Sequence, residues 1–403
     1  MKYVVFLGDG MADRPNDVIG GKTPLELAKK PNIDRLASMA ECGMVKTIPT
    51  GMPKGSDTAN LSVMGYDIRK SYTGRSPLEA VSMGIDLKST DVTMRCNLVS
   101  LSETEENYED KIMVDYSSDE ISTREADMLI KYLNEHLPLE AMKLYTGISY
   151  RHCLVWDNGH IGLNFTPPHD ILTQRVGEHL AKQGDAAVFT ELMKASYDLL
   201  KDHPVNVRRR ERGLKPANSA WFWGEGTKPE LQSYHDLYGV TGTVVSAVDL
   251  IKGIGKCAGL DVPDVPGTTG NIDTNFEGKA EAALKALLSG QDFAYIHVEA
   301  PDECGHRQEY ENKIHSIELI DDKIVGHVIK GLEDAGEDVR ALVLPDHPTP
   351  LALRTHTDDP VPYVFYDSTA KKNGVSCYTE AECAKTGIFI EEGCSLMGRF
   401  LAK

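Results

Sequence analysis

Short apolar runs recur along the chain, and several end abruptly in glycine, proline or acidic residues. Residues 4–7 (V-V-F-L) run into Gly8-Asp9-Gly10. This is the pattern of a central strand buried on both faces, with an aspartate at its carboxyl end. Farther on, Phe293, Tyr295, His297 and Glu299 alternate with Ala294, Ile296 and Val298. Pro301 stops that pattern, because it fixes φ and has no N–H to give a ladder. Residues 340–344 run into Pro345-Asp346-His347, and residues 363–366, 242–246 and 218–226 read as further strands. Helical periodicity fills the spaces between: 32–42 closed by Gly43, 278–288, and a long run over 312–332. Thr23-Pro24-Leu25-Glu26 is a capping box with proline at the first helical position. Strands alternating with helices predict an α/β fold, with a mostly parallel sheet lying between helices.

The pattern changes near Thr93. Residues 101–111 are acidic and exposed in character, 143–145 and 150–156 suit a strand pair, and 123–137, 172–180 and 187–200 suit helices. A chain of 403 residues exceeds what one core usually supports, so this stretch is expected to be a second, smaller α/β domain.

Composition narrows the function classes. Lys and Arg number 43 against 61 Asp and Glu, a net charge of −18. Such a chain is a poor partner for nucleic acid or an anionic membrane, and an anionic substrate would need local cations or metals. Eight cysteines are scattered without a C-x-x-C, which suits reduced thiols in the cytoplasm, with Cys304 a small buried residue. The apolar run at the N-terminus is too short for a signal peptide, and there is no membrane-length apolar stretch.

The strand ends carry the candidate chemistry. Asp9, Asp302 with His306 four residues later, Asp346 with His347, and His356 supply three carboxylates and three imidazoles. If these loops share one sheet edge, the set suits two divalent cations clamping an in-line displacement. Singly, each has a plainer reading as a turn aspartate or a polar loop. Pro301 and Gly305 are expected to turn the chain so that Asp302 and His306 face one ion. Ser56 follows Gly55 at a helix start, where free N–H groups and the helix dipole favour an anion. It is the candidate nucleophile, or else a plain N-cap. Arg75 either reaches a phosphate or pairs with Glu79. The V-R-R-R-E-R-G run at 207–213 is either a solvated face or a cationic clamp.

Several strings together carry a resemblance: G-S-D-T-A-N-L-S-V-M-G-Y-D, Y-T-G-R-S-P-L-E-A, A-V-D-L-I-K-G-I-G, V-E-A-P-D-E-C-G-H, D-H-P-T-P and H-T-D-D-P-V-P. They resemble the archaeal-type, 2,3-bisphosphoglycerate-independent phosphoglycerate mutases of the alkaline phosphatase superfamily. The resemblance covers nearly the whole chain and is weakest over residues 101–200. It implies an alkaline-phosphatase-like core, here 1–94 and 213–403, with a cap domain inserted at 95–212. It implies one metal on Asp302, His306 and His356, and another on Asp9, Asp346, His347 and the Ser56 oxygen. Mn²⁺ is the first expectation, with Zn²⁺, Mg²⁺ or Co²⁺ as the others. On the cap side, Arg151, His152, Arg209 and Arg212 are the expected substrate-binding residues. The implied reaction exchanges 3-phosphoglycerate and 2-phosphoglycerate, a small phosphorylated anion, through a phosphoserine and without bisphosphoglycerate. Homoserine kinase-like transfer, or phosphomonoester or phosphonate hydrolysis on the same core, are the alternatives.

Overall fold

The apolar run after Met1 forms the strand Lys2–Gly8, whose residues from Val4 to Leu7 are almost wholly buried. A strand with no solvent face needs neighbours on both edges and cover on both sides. It pairs in parallel with Phe293–Val298 on one edge and with Val339–Leu344 on the other. In a computed structural model, which describes residues 1–402, these strands sit inside a seven-stranded sheet. The spatial order is Phe389–Ile390, Glu41–Val45, Val361–Asp367, Val339–Leu344, Lys2–Gly8, Phe293–Val298 and Gly242–Val245. All neighbours are parallel except where Val361–Asp367 joins Val339–Leu344 and Glu41–Val45. The expected α/β class and mostly parallel sheet are therefore present. Parallel register makes three strands end together: Leu7 lies opposite Leu344, and Gly8 opposite Val298. That shared carboxyl edge is where open α/β sheets carry their ligands.

The chain divides into two compact units, Met1–Tyr72 with Glu230–Lys403, and Thr73–Pro229. The second is wider at both ends than the expected 95–212. Helix Ser76–Ser82 belongs to it because Ala80 packs with Leu87 and Cys153. Strand Ser219–Thr227, expected in the core, pairs antiparallel with Val92–Leu101 instead. The Thr73 hydroxyl donates to the Thr227 carbonyl at 2.6 Å, which fastens the two ends of the unit. Its five-stranded sheet is antiparallel, and a separate core including Leu129, Leu133, Phe189 and Trp221 fills it.

Four local expectations change. The helix over 32–42 is shorter, Pro31–Ser38, and residues 41–45 are a strand. Gly43 is thus no helix cap. A Cβ there would lie 2.6 Å from the Ile388 carbonyl oxygen, so glycine admits the neighbouring strand. No α-helix forms over 172–180: Thr173 has φ +65°, and that stretch holds one short 3₁₀ turn, Val176–Glu178, preceded by another at Pro168–Ile171. The long helix is interrupted by a π-helical segment, Ile320–Gly326, between Tyr310–Leu319 and His327–Asp334. Asp321 in that segment accepts from the Asn32 and Ile33 N–H groups, at 3.2 and 2.7 Å. It caps a helix whose own N-cap makes no side-chain bond. Finally, Pro301 opens a helix, Ala300–Arg307, rather than a turn. No described helix is long and apolar enough to cross a membrane.

Candidate active site

Helical geometry decides how Asp302 and His306 meet. Four residues apart on one helix, they share a face, and His306 Nε2 lies 3.2 Å from Asp302 Oδ2. Gly305, between them, serves packing: a Cβ there would lie 2.6 Å from the Thr349 carbonyl oxygen. His356 arrives from the loop before Val361–Asp367, with Nε2 3.4 Å from Asp302 Oδ1 and 2.9 Å from His306 Nε2. Asp9 and Asp346 leave the ends of adjacent parallel strands and are fully buried. His347 Nε2 lies 3.5 Å from Asp9 Oδ1, 3.4 Å from Asp346 Oδ2 and 3.2 Å from Ser56 Oγ. Ser56 opens helix Ser56–Val63 and makes no N-cap bond there; its Oγ lies 3.4 Å from Asp9 Oδ2. Thus all seven residues singled out in this unit converge.

Two donor groups emerge, Asp302-His347-His356 and Asp9-Asp346-His347, each with ligand atoms within 4.8 Å of one another. His347 belongs to both. His306 adds a nitrogen beside the first group.

The electrostatics fit divalent cations. Burial pushes the Asp9 carboxyl well up, and the neighbouring Asp346, Asp302 and Glu299 push it further. Its buried Oδ1 has no hydrogen-bond partner among the described residues. Burial works against ionised Asp302 too, but hydrogen bonds from His306 and His356 outweigh it and hold that carboxyl well below its usual range. The same Asp302 bond raises His306 to about 9. Burial lowers His347. A buried set of carboxylate oxygens and imidazole nitrogens, with repulsion and an orphan lone pair, is the donor chemistry of divalent metals.

Thr73–Pro229 carries the remaining candidates, and they part company. Arg75 Nε lies 2.9 Å from Glu79, and Arg95, which the sequence reading passed over, lies 3.0 Å from the same carboxylate. The Arg95 guanidinium also sits 4.3 Å over the Trp223 ring, and that of Arg151 5.6 Å from the Tyr150 ring centre. Burial disfavours ionised Glu79, yet Arg95, Arg75 and Arg151 hold its carboxyl below the usual range. Three cations therefore surround one anion.

Arg209 and Arg212 have a different setting. Arg209 is buried and donates to the Lys215 carbonyl, to Glu125 at 2.8 Å and to the Ser118 carbonyl, while Arg212 also binds Glu125. Their hydrogen bonds tie parts of this unit together. His152 is buried, its Nδ1 accepts from the Gly147 N–H at 3.1 Å, and burial lowers it to about 3. Its Nε2 is buried too and has no hydrogen-bond partner among the described residues.

A family model described as 2,3-bisphosphoglycerate-independent phosphoglycerate mutase matches residues 37–206. A protein of Geobacter sulfurreducens, described as a probable mutase of that kind, is 49% identical over 402 residues, covering 100% of each chain. The chain belongs to the 2,3-bisphosphoglycerate-independent phosphoglycerate mutase family. The Methanothrix thermoacetophila mutase of that name is 46% identical, again over 100% of each chain. A solved Pyrococcus horikoshii protein is 28% identical and superposes with a TM-score of 0.82, over 99% of this chain and 97% of that one.

Beneath the seven residues in this mutase-family chain lie partners that motif reading missed. His297 Nε2 lies 3.0 Å from Asp9 Oδ2, and its Nδ1 3.2 Å from the Ser246 hydroxyl. Asn60 donates to Asp346 Oδ2 and to the Ser56 carbonyl, both at 2.8 Å, and accepts from the Tyr295 hydroxyl at 2.6 Å. Tyr295 and His297 were visible as the odd members of an alternating strand. Two polar rings on a strand buried on both faces must find partners inside, and that was the available signal.

Proposed function

We propose that this protein interconverts 3-phosphoglycerate and 2-phosphoglycerate, with Ser56 carrying the phosphoryl group between the two hydroxyls. The observation that carries the proposal is the convergence of two metal-type donor groups on a serine hydroxyl at a helix N-terminus. Asp302, His306 and His356 would hold one divalent ion, and Asp9, Asp346, His347 and Ser56 the other, with Mn²⁺ first and Zn²⁺, Mg²⁺ or Co²⁺ as alternatives. When bound, such ions neutralise phosphoryl oxygens and favour the serine alkoxide.

Ser56 Oγ attacks phosphorus in line while the bond to the substrate's O3 breaks, and the proton lost by Ser56 ends on O3. The phosphoserine then yields to attack by O2 of the retained glycerate, which regenerates the Ser56 hydroxyl. Positioning and charge stabilisation make up most of what such a transfer needs. Arg75 and Arg151, with Arg95 beside the same Glu79 carboxylate, are the residues we propose for an anionic group of the substrate. Eight free thiols support a cytoplasmic setting.

Purified protein given Mn²⁺ and 3-phosphoglycerate, without ATP or bisphosphoglycerate, should drive an enolase-coupled assay. Phosphate release without enolase signal would favour hydrolysis, and a strict need for ATP and homoserine would favour the kinase. Ser56→Ala should cut turnover on the order of 10⁴-fold and leave a protein that still binds Mn²⁺. Full activity in that variant would remove Ser56 from its role.

A further inference from the structure

Thr349, three residues beyond Asp346 in D-H-P-T-P, is fully buried and lies between the two donor groups. Its hydroxyl is hydrogen-bonded to Asp302 Oδ1 and lies 3.3 Å from His347 Nδ1. A hydroxyl has one proton to give. We propose that Thr349 is a positioning residue: it donates to Asp302, accepts from His347 Nδ1–H, and so leaves the His347 Nε2 lone pair facing the donor site. This rests on the metal-site reading above and adds to it the residue that orients the shared histidine.

The assignment of donor and acceptor follows by elimination. The Thr349 hydroxyl is the donor in its contact with Asp302 Oδ1, because a carboxylate oxygen accepts. The Thr349 proton therefore goes to Asp302, and the hydroxyl can only accept from the ring. A neutral ring with its proton on Nδ1 has a free lone pair at Nε2, the atom 3.2 Å from Ser56 Oγ. One hydroxyl thereby links a ligand of the first group to the histidine common to both.

The surroundings leave Thr349 no other position. Its N–H donates to the Ala12 carbonyl at 3.3 Å, and its carbonyl accepts from Lys313 Nζ at 2.8 Å. Lys313 is itself buried and paired at 2.9 Å with Asp13, which is equally buried. Two glycines make room: a Cβ on Gly305 would lie 2.8 Å from Thr349 Cγ2, and one on Gly10, at φ +60°, 2.5 Å from Thr349 Oγ1. The loop after Lys2–Gly8, the helix Ala300–Arg307 and the loop after Val339–Leu344 therefore meet on this residue.

Two measurements on the full chain test it. In metal-free protein, ¹⁵N-histidine NMR should show His347 protonated at Nδ1; a proton on Nε2 in the wild type overturns the proposal without any variant. Thr349→Val keeps the shape and removes the hydroxyl, and Thr349→Ser keeps the hydroxyl. Calorimetric titration of metal-free protein with Mn²⁺ should show Thr349→Val weakened about 10- to 100-fold, with a mixed His347 tautomer, and Thr349→Ser close to wild type. Wild-type affinity together with an unchanged tautomer in Thr349→Val overturns it. Wild-type protein that binds no Mn²⁺ would overturn the metal-site reading and the coordination role together, a result distinct from failure of Thr349→Val alone.

Discussion

The donor site at the carboxyl edge of the parallel sheet and the arginine group around Glu79 are both rich in charge, and their imbalances have opposite signs. At the first, three buried carboxylates crowd together until burial and repulsion push Asp9 well up, with one oxygen left without a partner among the described residues. At the second, Arg75, Arg95 and Arg151 surround one carboxylate. A third cluster differs in where its donors go. Arg209 and Arg212 divide Glu125 between them, and Arg209 completes its bonding on two backbone carbonyls. Charge that the protein satisfies itself is architecture, whereas charge left in surplus needs a counter-ion from outside. By that criterion the first site calls for cations, while the arginines around Glu79 hold its carboxylate ionised.

Metal provides the largest test. Stripped of divalent ions and then given Mn²⁺ at 1,000 times its dissociation constant, the protein should gain about 4 kcal/mol of stability. The gain is read as a rise in Tm and as slower amide exchange at the loops bearing Asp9, Asp302 and Asp346. Equal new protection around Glu79 would break the distinction between the two surpluses.

The arginines come next. Arg209→Ala should cost about 3 kcal/mol in urea unfolding, because it leaves buried acceptors unpaired, while KM for phosphoglycerate stays unchanged in the folded protein. Arg151→Ala should do the reverse, with stability within about 0.5 kcal/mol and KM raised about tenfold. A KM effect at Arg209, or a stability loss at Arg151, would exchange their roles.

The effect at His152 depends on pH. Its folded ring stays neutral down to about 3, whereas the unfolded ring takes a proton near about 6.5. Below that, the unfolded state binds more protons, so stability falls with falling pH by at most about 1.4 kcal/mol per unit. His152→Gln removes that dependence. The stability of wild type relative to the variant should therefore decline between pH 6 and pH 4 in urea titrations. A constant difference would mean that the ring is solvated or paired in the fold.

Much of the site was legible because its residues sit where strands must stop. Asp9 and Asp346 follow apolar runs, and strand ends in a parallel sheet share an edge by geometry. Ser56 was legible from the glycine before it. The helix at 300–307 was less so, because Pro301 ends a strand and begins a helix with equal ease, and the i,i+4 spacing of Asp302 and His306 fits either reading. The arginines of Thr73–Pro229 were hardest. Arginine in a sequence carries no mark of whether its donors will be spent inside, and only the packing separates Arg209 from Arg95.

The sequence by itself determined the α/β class, the central strands, the seven converging residues and the family, since each rests on local pattern or on strings of neighbouring residues. Only the tertiary structure decided where Ser219–Thr227 pairs, that Gly305 serves packing rather than a turn, and that Thr349 and His347 share a hydrogen bond. These depend on backbones meeting across tens or hundreds of residues. A close approach or a proton shared between distant side chains leaves no local pattern in the chain, because it is set by the three-dimensional distance between groups rather than by their spacing in sequence.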